Sequence, residues 1–206
     1  MFALIDDQQI TKFFSGNKGV TIGDVQYPKS IFTLWSEAER NAIGIYEVTI
    51  DTTNKKDEAY YINTNVSYGV ESNKAVGSYG TATAKAHADT LWTQQDSDDG
   101  DLPSDKSVGD VKVEGLKTIK IREVKKQAAN ILPETDWYIT RKSDAGTAVP
   151  SAITTHRAAV RTKAAEQETA ITNAADTPAL ETLYTYTEQE DGSVTRPLGN
   201  LPTLDS

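Results

Sequence analysis

The sequence predicts an α+β protein: a small N-terminal mostly-β domain, followed by a C-terminal antiparallel helical hairpin and an extended arm. Three observations carry this. Ile121, Val124, Ala128 and Ile131 recur at helical spacing, and Ile153, Arg157, Val160, Ala164, Gln167 and Ile171 form a second such face. Between them stands Pro133, which lacks an N–H and restricts Leu132 before it, so the first helix must stop there. The front of the chain consists instead of short apolar or β-branched runs punctuated by turn residues. The boundaries that follow are residues 1–92 for the β domain, 93–110 for an acidic linker, 111–175 for the hairpin and 176–206 for a short β or irregular arm.

Taken in order, Phe2 to Ile5 and Ile10 to Phe14 fit two strands turned by Asp6-Asp7-Gln8-Gln9. Val20, Ile22 and Val25 suggest one further extended piece ending at Pro28. Ser36-Glu37-Ala38-Glu39 is a capping-box pattern opening a short helix that Gly44 can end. Ile45 to Ile50 alternates as a strand, and Tyr60-Tyr61-Ile62 and Val66 to Val70 have strand composition. Gly77-Ser78-Tyr79-Gly80 reads as a turn or a strand glycine pair, and Ala82 to Leu91 fits helix or strand. Gln94 to Asp105 is acidic, broken by Gly and Pro and nearly free of apolar residues, which is linker composition.

Leu132 to Arg141 reads as the tight connector of the hairpin, with Trp137-Tyr138 as an aromatic plug at its exit and Thr135 or Asp136 accepting backbone N–H groups in the turn. Pro150 suits the first position of the second helix. Beyond Asn173 to Pro178, Ala179 to Leu183 fits a helical turn, and Asp191-Gly192 signals a hairpin into Ser193-Val194-Thr195. The arm Arg196 to Ser206 carries Leu198, Leu201 and Leu204 at spacings of three, while Pro197, Gly199 and Pro202 forbid a helix. That leucine row is expected to dock on a second subunit or a neighbouring protein.

Composition narrows the chemistry. The net charge of −9 argues against a general nucleic-acid-binding protein, and without cysteine there is neither a disulfide framework nor thiolate chemistry. No apolar run approaches a membrane span, and the opening Met1 to Asp7 lacks the basic region of a secretion signal. A calcium loop ending its turn on Gly100 would need acids at Gln95 and Ser97 and glutamate at Lys106, so the register fails. His87 with Asp89 makes at most two ligands, and His156 is expected on the solvated flank of its helix. Lys112, Lys117, Lys120, Arg122, Lys125 and Lys126 read as a solvated face that balances an acidic chain. No nucleophile elbow, phosphate loop or dinucleotide fingerprint occurs, so no catalytic, metal or cofactor-binding residue is assigned and the expectation is a protein that is not an enzyme.

Asn130-Ile131-Leu132-Pro133-Glu134-Thr135-Asp136-Trp137 resembles the RNxLLxxTDW element of tailed-bacteriophage tail-fibre assembly and tail assembly chaperone-like proteins. Tyr138 and Arg141 follow it, then Pro150, then a helix carrying Arg157 and Arg161. The resemblance is firm over about residues 111 to 171. Met1 to Ile5 and Tyr27 to Phe32 are more loosely similar to small phage tail-associated proteins, and Ala129 stands where the family has arginine. The resemblance implies a non-enzymatic tail protein acting through contacts with tail-fibre or baseplate proteins. It would be made in the host cytoplasm and retained in the tail of the virion, with a transient assembly chaperone absent from the virion as the alternative. Asp136, Trp137, Tyr138 and Arg141 are then the partner-binding residues, together with Leu198, Leu201 and Leu204 of the arm. Partners are tail proteins, with a homo-oligomer allowed and neither nucleic acid nor membrane expected. Readings of another class are an enzyme, which needs a convergent polar pocket, and a nucleic-acid-binding accessory protein, which would bind with strong salt dependence.

Overall fold

The computed structural model describes residues 1–204, and the chain forms two compact units, Met1–Thr83 and the residues from Ala84 onward. The fold is α+β, with a mostly-β first unit and a mainly helical second one. The boundary falls nine residues before the expected one, because residues 84–92 belong to the scaffold of the first long helix rather than to the sheet.

In the first unit, β1 (Phe2–Asp6), β2 (Gln9–Phe14), β3 (Val20–Ile22) and β4 (Val25–Tyr27) precede two short helices, α1 (Ile31–Leu34) and α2 (Glu37–Asn41). Then come β5 (Ile45–Asp51), β6 (Tyr61–Ile62), β7 (Val66–Glu71) and β8 (Lys74–Tyr79). The main sheet has the order β2-β1-β5-β8-β7, antiparallel except for the β5–β8 pair. The single extended piece expected over Val20 to Val25 is a hairpin, β3–β4, turned at Gly23 with φ +56°.

The turns Asp7-Gln8 and Ser72-Asn73 all have positive φ, the geometry that matches the twist of two-residue hairpins. The two turns meet, Gln8 Nε2 donating to Asn73 Oδ1 at 3.0 Å, and Phe13 of β2 meets Tyr68 of β7 edge-on at 5.0 Å. The sheet thus curls into a half-barrel whose outer strands are joined through side chains. Of the two readings of Gly77, a turn or a strand glycine, strand β8 realises the second. A Cβ there would lie 2.7 Å from Tyr68 and 2.8 Å from both Ile50 and Val66, so this strand position has room only for glycine. On the other face Phe14, Ile31, Phe32 and Ile45 form the core, flanked by Phe2, Leu4, Val20, Tyr27 and Trp35. The Ser36–Glu39 capping box forms as expected, Ser36 N donating to Glu39 Oε2 at 2.7 Å. These bonds hold the Glu39 carboxyl below its ordinary range.

The second unit begins around β9 (Thr83–Ala84), followed by β10 (Thr90–Leu91), α3 (Gln94–Asp98) and β11 (Val111–Val113), with β10 and β11 paired. The stretch read as a linker is folded. Thr93 caps α3 in a box with Asp96, and Asp96 is also ion-paired to Lys112, whose ammonium lies 4.4 Å from the centre of the Trp92 ring. The Lys112 hydrogen bond, then those from Thr93, lower the Asp96 pKa to about 2. A folded-state pKa below the unfolded one stabilises fully above the unfolded value and is lost as pH falls through the folded one. The hold of Asp96 on this loop should therefore be full above about pH 4, weaken below it and be lost near 2. Carboxyl-carbon NMR titration checks this, and a midpoint near 3.8 would show the loop open in solution.

Two long helices follow, α4 (Leu116–Ile131) and α6 (Ser151–Asn173). They are antiparallel: Lys117 at the start of α4 donates to Thr172 O at the end of α6, and Leu132 O beyond α4 meets Arg157 near the start of α6. Val124 and Ala128 of the first expected face are buried, with Ile121 and Ile131 half-buried. Of the second, Ile153, Arg157, Val160, Ala164, Gln167 and Ile171 are all buried. His156 is buried too, at 8% exposure, rather than on the solvated flank. The basic residues are largely engaged, Arg122 in a bidentate pair with Glu114, Lys120 with Glu123 and Lys125 with Glu168.

Helix α4 starts on Gly115, which has no side chain to cap it. The cap comes from Asp89, whose Oδ1 accepts from Gly115 N at 2.6 Å and whose Oδ2 accepts from Thr118 Oγ1 at 2.8 Å. The carbonyls of Ala86 and His87 take the next two N–H groups. A Cβ at Gly115 would sit 2.3 Å from the Ala88 carbonyl, so glycine is what allows this approach. Asp89 is thus a helix cap, not half of a His87–Asp89 ligand pair. Asp89→Ala is expected to destabilise the unit by about 1–2 kcal/mol, the usual loss of a cap, measured by urea denaturation.

Candidate functional site

The segment expected as a connector is helical. Pro133 does end α4 at Ile131, but Leu132–Thr135 continues as a 3-10 turn, and α5 (Asp136–Ala145) lies between the two long helices. Asp136 places an acid in the first turn of α5, Lys142 a base in its last, and Gly146 at φ +67° closes it in the left-handed cap conformation.

The entry to α5 is fixed by one residue of α6. The side chain of Arg157 is 10% exposed, and its Nη1 donates to Leu132 O at 2.8 Å and to Thr135 Oγ1 at 2.7 Å. The same nitrogen lies 2.8 Å from Asp136 Oδ1. Thr135 is 2% exposed and its hydroxyl also donates to Leu132 O at 3.0 Å. Thr135 and Asp136 therefore face Arg157 instead of taking backbone N–H groups as expected. Leu132 O and Thr135 Oγ1 are neutral acceptors, so these are charge-assisted bonds that satisfy a nearly buried cation. The Asp136 side chain is 57% exposed, so the ion pair itself is screened by solvent and contributes less.

The latch leaves the aromatic residues outside. Trp137 is 50% exposed and is not the buried plug expected of it. Its ring lies 4.0 Å from that of Tyr138, tilted by 34°. One turn on, the Arg141 guanidinium lies 4.5 Å from the centre of the Trp137 ring and 5.5 Å from that of Tyr138. Ile139, which the sequence reading did not single out, adds a further exposed apolar side chain at 44%. Of the four motif residues expected at a partner surface, Asp136 is thus committed to the latch, and Trp137, Tyr138 and Arg141 form a stacked group at the surface of α5.

The leucines of the arm are not brought to that surface. Leu198 is 3% exposed, its N–H donates to Leu183 O of α7 (Thr177–Tyr184), and its carbonyl and that of Gly199 accept from Gln167 Nε2 of α6. Arg196 stacks over Tyr184 and Tyr186 and donates to Gly199 O. Leu201 is half-buried and Leu204 is 40% exposed, while Asp205 and Ser206 lie outside the described residues. The arm is laid on its own unit after the hairpin of β12 (Thr187–Glu188) and β13 (Val194–Thr195), so the expected docking of the leucine row on a second subunit is corrected at Leu198.

An open cleft of about 660 Å³ runs along α6, lined by Thr154, Thr155, Ala158, Ala159, Thr162 and the ion-paired Lys163 and Glu166, with Asn200 and Pro202 of the arm at its rim. Among the described residues no group of three His, Cys, Asp or Glu side chains could hold a metal ion, and no helix is long and apolar enough to cross a membrane. No family model matches the chain, and no curated protein or solved structure matches it.

Proposed function

We propose that this chain is a non-enzymatic bacteriophage tail-associated protein that binds tail-fibre or baseplate components and positions them, and that it is retained in the virion. The observation that supports the reading is the division of labour within Thr135-Asp136-Trp137. Two residues of the motif lock the start of α5 to Arg157, while the third, stacked on the half-buried Tyr138, stands exposed. A motif needed only for folding would bury its tryptophan, whereas an exposed Trp against a half-buried Tyr on one helix is the kind of residue pair that anchors protein interfaces. The resemblance of residues 130–137 to tail-fibre assembly and chaperone-like proteins supplies the partner class.

The test is mass spectrometry of purified particles of the phage that encodes the chain, together with capture of tail components on the immobilised protein. Recovery in the particle at a fixed ratio to baseplate or fibre proteins is expected. Capture without recovery in the particle would replace the reading by that of a transient assembly chaperone, and failure of both would overturn it.

A further inference from the structure

The stacked group on α5 has one member whose binding capacity is unused. Arg141 is the only cation against the Trp137–Tyr138 pair given by the ring contacts among the described residues, and no acid or carbonyl there engages it. Its Nε is covered and has no acceptor, so the rings and not hydrogen bonds hold the guanidinium in place. The side chain as a whole is only partly covered. The nearest carboxylate in sequence, Asp144 at i+3 on the same helix, makes no ion pair with it among the described residues, and Asp136 is occupied by Arg157. With Asp136 paired to Arg157, Arg141 and Lys142 outweigh Asp144 by one charge, so the local balance is positive on a chain whose net charge is −9.

We infer that Arg141, stacked on Trp137 and Tyr138, is a receptor for a carboxylate side chain of the bound partner, the rings taking an adjacent apolar residue. This rests on the docking reading above and names the chemistry of what docks. A stacked guanidinium is already oriented, and its planar fork matches a carboxylate through two parallel N–H donors. Ordering has therefore been completed before binding, which strengthens association. A lysine at this position would lack both the stack and the fork. The overall negative charge would repel an acidic ligand at long range, so a preference for a carboxylate has to arise locally.

The test uses the isotope-labelled full chain and two capped dipeptides, N-acetyl-leucyl-glutamate amide and its glutaminyl counterpart, followed by NMR at the Trp137 indole N–H and the Arg141 Nε–H. The glutamate probe is expected to bind about fivefold more tightly than the glutaminyl one, the difference shrinking with added salt. Arg141→Gln should make the two probes equal, with the amide spectrum outside α5 unchanged. Equal binding of both probes to the wild-type chain, no response to either, or a preference that survives in Arg141→Gln would overturn the inference. None of these results touches recovery of the chain in the particle, and absence from the particle would not alter the titration, so the two readings fail separately.

Discussion

Arg157→Ala is expected to lower the stability of the second unit by about 3 kcal/mol and to loosen the start of α5. Two charge-assisted hydrogen bonds are lost, each in the range of about 1.5–3 kcal/mol, and a buried side chain's packing goes with them. Two features moderate the total. Leu132 O keeps its bond from Thr135 Oγ1, and Asp136 is exposed enough to return to water. Arg157→Lys should recover much of the loss, because the carbonyl, the hydroxyl and the carboxylate all meet one nitrogen, Nη1, and an ammonium carries three donors. Urea denaturation of the full chain gives the first number and hydrogen exchange across residues 132–140 the second. A variant that unfolds like the wild type would mean that Arg157 is buried without fixing anything.

Trp137→Ala is expected to behave in the opposite way. Half of the side chain is in solvent and its neighbours Tyr138 and Arg141 are on the same short helix, so the melting midpoint should move little, within about 1 kcal/mol. The loss should appear in binding. On the proposed reading, affinity for a tail component that the wild-type chain captures is expected to fall by roughly 30-fold or more, about 2 kcal/mol, as for a central interface tryptophan. Surface plasmon resonance on that component measures it. The sequence alone favours a destabilisation of about 3 kcal/mol or more, on the premise of a buried aromatic. A large fall in stability with intact binding would restore that premise and remove Trp137 from the interface.

How far the sequence reaches is seen by comparing the two faces of the long helices with what lies between them. The spacing of Ile153, Val160, Ala164 and Ile171 reports burial directly, since helical period and core contact are the same physical fact, and even Arg157 and Gln167 follow it inward. The Ser36–Glu39 box is equally legible because both its bonds are local. The cap from Asp89 to Gly115 is not, since its partners are 26 residues apart and only the fold brings them together. The sequence leaves Gly77 open between turn and strand, because a glycine reads the same whether it serves φ freedom or, as here, crowding by Tyr68, Ile50 and Val66. Within the site, the motif Thr135-Asp136-Trp137 was visible but the orientation of its parts was not. One signal is available for it: an arginine in an otherwise apolar stripe must find buried acceptors, and that demand points from Arg157 to a nearby turn. The linker is folded for a related reason, since Asp96 is acidic in composition yet serves as a cap and an ion-pair partner.

The parallel pairing of β5 with β8 sets the order in which the protein is able to mature. Val48 lies opposite Ala75 and Phe2 opposite Glu47, so the middle of this sheet is assembled from chain segments far apart in sequence, and β8 reaches its place only after β7 has been made and turned. Such non-local closure slows folding, whereas helices form from neighbours. During synthesis the sheet is made first, and its closure is the slower of the folding steps. The sheet is then the step to watch when yield falls with temperature, and variants at Gly77 or at the Gln8–Asn73 contact should alter expression levels more than they alter the melting of the helices.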